Sequence, residues 1–432
     1  IAHILNMFPG EDNVTFICNR EHLETTNMKE ILLNYCPKGK IVSIEPHKLG
    51  PVYSVSKAFE NIDDEVPAIV NYCDFTCYWD YKSFKKWLAN NKLDGCLPAY
   101  KGFHPHSLSG NNYAFMKVEN GFLTGIQEKE PYTKNKIEEF ASSGTYYFAK
   151  GSYIKKFFRE LINKKIKVNN EYYCSMVYNL MIDEGLNIRP YELQHFMQWG
   201  TPEDLEEFKN WSTAFKNLAT KNELFEIPKK GTTLIPMAGK GNRFKKENYK
   251  IIKPLISISG KPMVIQATKT LPKTNNYHFV AQKETDLFYN LSGIFEKEFT
   301  NYKLTLLNQD SSGQACTCIS AMKDIPINDT LTISACDHGL LFDSKKFNLL
   351  MQDEKIDILV WVTRGYSNAI RNPEMYSWVD TNGNQIKNLS VKKPLKNPCT
   401  DPLVIGTFTF KSAEMFKHSA DRLFKRDYRV NG

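Results

Sequence analysis

Short apolar runs alternate with stretches of helical period along this chain, and that alternation predicts a mixed, mainly parallel α/β sheet flanked by helices. In the first half, residues 14–18, 68–72, 95–100, 144–149 and 188–193 read as strands. Residues 113–118 and 122–128 read as an antiparallel pair about the turn Glu119-Asn120-Gly121. Helices are predicted to open at Gly50, over 81–90, 153–162 and 171–184, and from Pro202, with Thr201 as the cap. Residues 233–237 and 331–335 are buried-strand patterns in the second half, and 214–231 is rich in Lys and Asn and reads as a linker.

The pattern repeats. Phe16 matches Phe279, Gly50 matches Gly313, Ala58 matches Ala321 and Asp74 matches Asp337, each 263 positions apart. The register continues through Tyr113/Tyr376 and Lys129/Lys392, and after a one-residue deletion resumes at 262 with Gly144/Gly406 and Phe148/Phe410. Two tandem units of one kind are therefore expected, over 1–213 and 232–432, joined by the linker 214–231. Ile1 corresponds to Val264 and Gly432 to Asn170, so the first unit lacks the opening stretch that the second has, and the second lacks what 171–208 supplies to the first. On this arithmetic the chain is expected to be a piece of a longer protein.

Composition narrows the class. Hydrophobic residues are 42% and charged residues 24% of 432, well outside the disordered regime. The formal charge of +8 suits anionic small molecules but is spread along the chain. No basic block with interleaved aromatics stands out, which argues against nucleic acid, and no apolar run is long enough to span a membrane. The 10 cysteines form no framework and no C-x-x-C pair, as expected of reduced thiols in a cytoplasmic protein. His104 and His106 lack companions and read as loop residues rather than metal ligands.

The stretch 232–267 carries the clearest chemistry. An apolar strand runs into Ala238-Gly239-Lys240-Gly241-Asn242-Arg243, followed by Lys253-Pro254-Leu255 and Gly260-Lys261-Pro262-Met263. Glycines at that spacing let backbone N–H groups approach a ligand, and Lys240, Arg243 and Lys253 suit a polyphosphate. A dinucleotide turn would need an acid about 20 residues on, and none occurs between Glu247 and Glu284. A P-loop would need Ser or Thr after Gly-Lys, where Pro262 stands. A merely structural turn remains as the plain alternative. The order of these elements resembles the N-terminal signature of the sugar-phosphate nucleotidylyltransferases, the family that includes glucose-1-phosphate thymidylyltransferase.

That resemblance implies two tandem Rossmann-like, GT-A-like domains and transfer of NMP from an NTP to a sugar phosphate or similar acceptor, with loss of pyrophosphate. It implies nucleotide contacts at Ala238, Gly239, Lys240 and Gly241, and at the helix-opening glycines Gly313 and Gly50. It implies catalytic roles for Arg243 and Lys253 in neutralising the phosphates, and Mg²⁺ binding by Asp337 and Asp74. Acceptor contacts follow at Lys392, Tyr376 and Gly406 in the second unit and at Lys129, Glu128, Tyr113 and Gly144 in the first. The second unit has Val391 where the first has Glu128, and Trp199-Gly200-Thr201 follows Gln198 where the family carries a second metal acid. That acid is displaced or absent. The implied partners are an NTP and a phosphorylated small molecule for surface-polysaccharide precursors, with a homo-oligomer left open. The rival expectation is a regulatory module that binds nucleotide-sugar without catalysis.

Overall fold

Apolar residues on alternate sides of short β-rich segments build two mixed sheets, one in each of two units. The computed structural model describes residues 1–102, 104, 110–220, 229–247 and 249–426. The units comprise residues 1–208 and 209–432.

In the first unit β1 (Thr15–Asn19) and β2 (Lys40–Ile44) form a parallel pair. The strands β3 (Ala68–Asn71), β4 (Phe75–Tyr78), β5 (Gly95–Tyr100), β6 (Ala114–Glu119), β7 (Phe122–Glu128), β8 (Phe140–Ser142), β9 (Thr145–Phe148), β10 (Ile188–Glu192) and β11 (His195–Gln198) follow. The larger sheet runs β3-β9-β5-β8-β6-β7, with β10 parallel to β5, while β4 and β11 pair separately and antiparallel. Its core packs Leu97 and Phe148 against Ile154, Phe157, Phe158 and Leu161 of the helix Gly151–Asn163 and against Val177 and Tyr178 of the helix Cys174–Asp183. Each of the large apolar side chains adds about 1.5–3 kcal/mol by leaving water.

In the second unit the strands are β12 (Lys229–Pro236), β13 (Ser257–Ile258), β14 (Lys261–Pro262), β15 (Thr274–Gln282), β16 (Tyr302–Leu307), β17 (Thr330–Ile333), β18 (Ile358–Thr363), β19 (Ser377–Asn382), β20 (Gln385–Val391) and β21 (Leu403–Phe410). The sheet runs β16-β15-β12-β17-β21-β19-β20, with β18 paired to β21. β16, β15, β12 and β17 are mutually parallel, and β21 is antiparallel to β17. Along β12 and β15 neighbouring residues face opposite ways: Leu234 and Val280 enter one core, Ile235 and Phe279 the other. Both faces of the parallel strands are thus covered, which is why these strands read as continuous apolar runs.

The elements recur at the spacing read from the sequence. Pro51–Ser56, Gly95–Tyr100, Ala114–Glu119 and Phe122–Glu128 return residue for residue, 263 positions on, as Gln314–Ile319, Ile358–Thr363, Ser377–Asn382 and Gln385–Val391. The helix caps recur as well: Asp80 accepts the Ser83 amide, and Asp343 accepts those of Lys345 and Lys346. One element breaks the correspondence. β12 stands between β15 and β17, whereas among the described residues no strand stands between β1 and β3. The side chains of β3 are accordingly half-buried along its length, while Leu331, Thr332 and Ile333 of β17 are buried.

The expected linker differs from what is observed. Residues 214–220 continue the helix Pro202–Thr220, whose start is capped by Thr201 accepting the Asp204 amide at 3.2 Å, and residues 229–231 already belong to β12. Residues 214–220 include Ala214, Lys216, Leu218 and Ala219, good helix formers, so a stretch read as linker carries helix instead. Residues 221–228 lie outside the described residues, as do His106 and 427–432. All ten cysteines are free, and no described helix is long and apolar enough to cross a membrane.

Candidate functional site

In the second unit, β12 delivers the glycine turn to the carboxyl end of the parallel strands, the edge where open α/β sheets bind ligands. Met237 still donates to Val280 at 2.8 Å, and the Ala238 carbonyl takes a hydrogen bond from Gln282 at 3.3 Å, so the chain leaves the sheet only at Gly239. Gly241 adopts φ +62°, the left-handed region, and opens the short helix Asn242–Lys246. A Cβ there would lie 3.4 Å from Cβ of Lys253, so the turn runs directly against that lysine. Lys240 reaches the other way, to Asp310 at 2.5 Å. An open cleft of about 360 Å³ adjoins the turn, lined among others by Lys240, Phe244, Lys245, Tyr249, Lys250 and Lys253. Its size is that of a small-ligand site.

Asp337 follows β17 at the same sheet edge and pairs with the Lys253 ammonium. His338 stands on its other side, with Nδ1 3.7 Å from Oδ1, beyond hydrogen-bond distance. His338 first and Lys253 second hold the Asp337 carboxyl far below the usual carboxylate range, against the opposing effect of burial. Asp337 is therefore an ionised acid beside a phosphate-type lysine.

Lys392 and Tyr376 flank the hairpin β19–β20, and Gly406 lies on β21. Lys392 takes φ +57°, uncommon for a residue with a side chain, and its amide donates to the Tyr376 carbonyl at 3.0 Å. Burial raises the Tyr376 phenol pKa, with Tyr366 adding to the rise, and Arg243 is near enough to offset part of it. Arg243 itself is exposed and makes no ion pair or hydrogen bond among the described residues. Gly406 bends β21 at φ +80° beneath His338.

The first unit repeats the lysine–tyrosine backbone geometry. Lys129 has φ +62°, its amide donates to the Tyr113 carbonyl at 2.8 Å, and its ammonium reaches the Tyr173 hydroxyl at 2.9 Å. Glu128 accepts from Ser175 at 2.5 Å; burial raises its pKa, and the Ser175 hydroxyl and the Lys129 charge oppose that rise. Gly144, at φ +97°, carries the ring of Phe75. Tyr113 packs edge-on against Tyr100, and His104 lies 4.4 Å from the same ring.

Two residues of the first unit have surroundings unlike those of their counterparts in the second. A Cβ on Gly50 would lie 2.8 Å from the Tyr172 backbone, and the Tyr172 carbonyl takes the Val52 amide at 3.1 Å. The turn is sealed by the chain that leads into the helix Cys174–Asp183. Gly313 has nothing within 4 Å of the same position. Asp74 makes no ion pair among the described residues; it is open to solvent on one side with Gly200 close on the other, and burial raises its pKa.

Among the described residues no three of His, Cys, Asp and Glu come together as a metal cage. Asp337 fits the other manner of holding Mg²⁺, one carboxylate with phosphate and water oxygens completing the shell. The second acid sought near Gln198 is not found there: Gln198 lies on β11 opposite Phe75, and Asp204 is engaged with Thr201 at the start of its helix. Sequence reasoning missed His338, Ser334 and Thr407. Their signal was available in the repeat, since His338 stands 263 positions after Phe75, a histidine exchanged for a phenylalanine beside a matched acid.

No family model matches the chain, and no curated protein matches it. Among solved structures it is similar to the nucleoside-diphosphate-sugar pyrophosphorylase from Vibrio cholerae RC9, at 19% identity and TM-score 0.39 over 48% of this chain and 86% of that one. It is similar also to the inositol-1-phosphate CTP transferase from T. maritima, at 15% identity and TM-score 0.36 over 44% and 74%. A third is a UDP-glucose pyrophosphorylase complexed with UDP-glucose, at 14% and 0.35 over 47% and 89%. Each alignment spans less than half of this chain.

Proposed function

We propose that the chain is a nucleotidyltransferase of two copies of one unit, moving NMP from an NTP to a sugar phosphate or similar phosphorylated small molecule with release of pyrophosphate. The second copy performs the transfer. The observation that carries this reading is the meeting of the glycine turn, Lys253 and the ionised Asp337 at the carboxyl edge of one parallel sheet.

In this reading the triphosphate lies over residues 238–241. Arg243 grips phosphate oxygens through its planar fork, and Lys253 leaves Asp337 to act as a point charge. Asp337 would hold Mg²⁺, which supplies charge neutralisation on the phosphates. Lys392 holds the acceptor, whose phosphate oxygen forms the new bond to the α-phosphorus as the bond to the pyrophosphate oxygen breaks. Such chemistry depends on positioning and charge stabilisation, so no covalent nucleophile is required of the protein. A supply of surface-polysaccharide precursors in the cytoplasm suits an enzyme of this kind.

The first copy supports a second reading, that of a regulatory or nucleotide-sugar-binding module, because Gly50 is sealed by Tyr172 and Asp74 has no lysine partner among the described residues. Pyrophosphate release from ATP, CTP, GTP, UTP and dTTP against a panel of phosphorylated acceptors tests the proposal. Release by the intact chain supports it. Nucleotide binding without release under any pairing would leave the binding module.

A further inference from the structure

His338 bridges the acid and the acceptor wall of the second unit. Its Nε2 lies 3.0 Å from the Thr407 hydroxyl and 3.4 Å from that of Ser334, and those two hydroxyls are 2.8 Å apart. Ser334, directly after β17, and Thr407, inside β21, are fully buried, so the hydroxyl pair is a fixed anchor. The ring edge at Cε1 lies 3.5 Å from the place a Cβ on Gly406 would take. With one nitrogen anchored and one edge against the strand bend, the other nitrogen, Nδ1, lies 3.7 Å from Asp337 Oδ1. The first unit fills the same bracket with an apolar ring. Phe75 lies with Cε1 3.0 Å from the matching place on Gly144 and packs on Phe196 at 5.5 Å, while Thr145 turns its hydroxyl to Asn71.

We propose that His338 is a positioning residue: anchored by Ser334 and Thr407, its imidazole keeps the Asp337 carboxylate aimed at the ligand once Lys253 turns from the acid to the triphosphate. The inference rests on the nucleotidyl-transfer reading for its consequence, but not for its geometry. A Lys253 drawn toward the triphosphate would loosen its hold on the acid. The carboxylate must then keep the orientation that Mg²⁺ would need, and a supporting group that fixes it is worth roughly 10- to 100-fold in affinity or activity. The first unit, with Phe75 in that place, has no equivalent support for Asp74.

The test uses the full chain with ¹⁵N-labelled histidine, the His338 ring signal being the one lost in His338→Asn. The ring signal is expected to move in Asp337→Asn and in Thr407→Val, and to move again when a nucleoside triphosphate is added. A signal indifferent to both substitutions overturns the proposal whether or not the chain is active. In the transfer assay, His338→Phe should lower kcat roughly 10- to 100-fold with a smaller change in KM for the triphosphate, and His338→Asn should recover most of it, because its amide sits where Nδ1 does. Equal losses in both variants, with the fold intact, would reduce His338 to packing and overturn the proposal. A wild-type chain that binds triphosphate but releases no pyrophosphate defeats the transfer reading, and the ring signal still decides the role of His338.

Discussion

The Lys253 ammonium rests on the Asp337 carboxylate across 84 positions of sequence. The acid expected to serve the metal and the lysine expected to grip phosphate thus neutralise each other until a polyphosphate arrives. Replacing Lys253 by Ala should lower kcat/KM for pyrophosphate release by roughly 10²–10³-fold, the scale of losing one charge-stabilising group. Steady-state assays over a range of triphosphate concentrations check it. An unchanged kcat/KM would remove Lys253 from the site.

The two helix-opening glycines should respond differently to alanine. In the first unit Gly50→Ala drives a Cβ to 2.8 Å from the Tyr172 backbone at φ +85°, so it should destabilise the first unit by at least about 1–3 kcal/mol while leaving triphosphate affinity unchanged. Gly313→Ala meets no atom, so any backbone strain at φ +136° is felt in the turn itself, and triphosphate affinity should fall. Thermal unfolding and nucleotide titration of both variants separate the effects. Loss of nucleotide affinity in Gly50→Ala would reopen the first unit as a nucleotide site.

The gap between β1 and β3 should be visible in amide exchange. Among the described residues, amides on the side of β3 away from β9 have no strand to bond and should exchange orders of magnitude faster than their counterparts on β17, which lies between β12 and β21. Hydrogen exchange by NMR or mass spectrometry reads this directly. Equal protection would mean that another group covers the β3 edge.

His278 gives the second unit an acid sensitivity. It is buried on β15 with a ring nitrogen 2.7 Å from the Thr305 hydroxyl, and burial lowers its pKa to about 4, with the nearby Asp324 opposing and Lys303 reinforcing that shift. The unfolded chain takes up a proton near pH 6.5, before the folded one does. This group's contribution to stability is therefore fully present above about pH 6.5 and declines as pH falls toward about 4. Denaturant unfolding at several pH values should show that slope, and His278→Gln should flatten it.

Much of the fold was legible where the pattern was local. The bounds of β5 and β7 were read to the residue, because each is a dense apolar or alternating run closed by turn residues. The acids Asp74 and Asp337 could be placed after their strands for the same reason. What was not legible depends on distant chain. The β4–β11 pair joins residues 75–78 to 195–198, and four-residue strands carry too little pattern to announce themselves. Sealing of Gly50 by Tyr172 requires a segment more than a hundred positions away to lie extended, where the sequence pattern had predicted helix from 171. The linker misled because its first part, 214–220, holds Ala, Leu and Lys, good helix formers that extend the preceding helix.

The central claim is that nucleotidyl transfer belongs to the second unit, and the most direct measurement is pyrophosphate release by the full chain carrying Asp337→Ala or Asp74→Ala, each compared with wild type on the best triphosphate and acceptor pair. The account predicts loss of release with Asp337→Ala and near-wild-type release with Asp74→Ala. Release that survives Asp337→Ala and disappears with Asp74→Ala would contradict it.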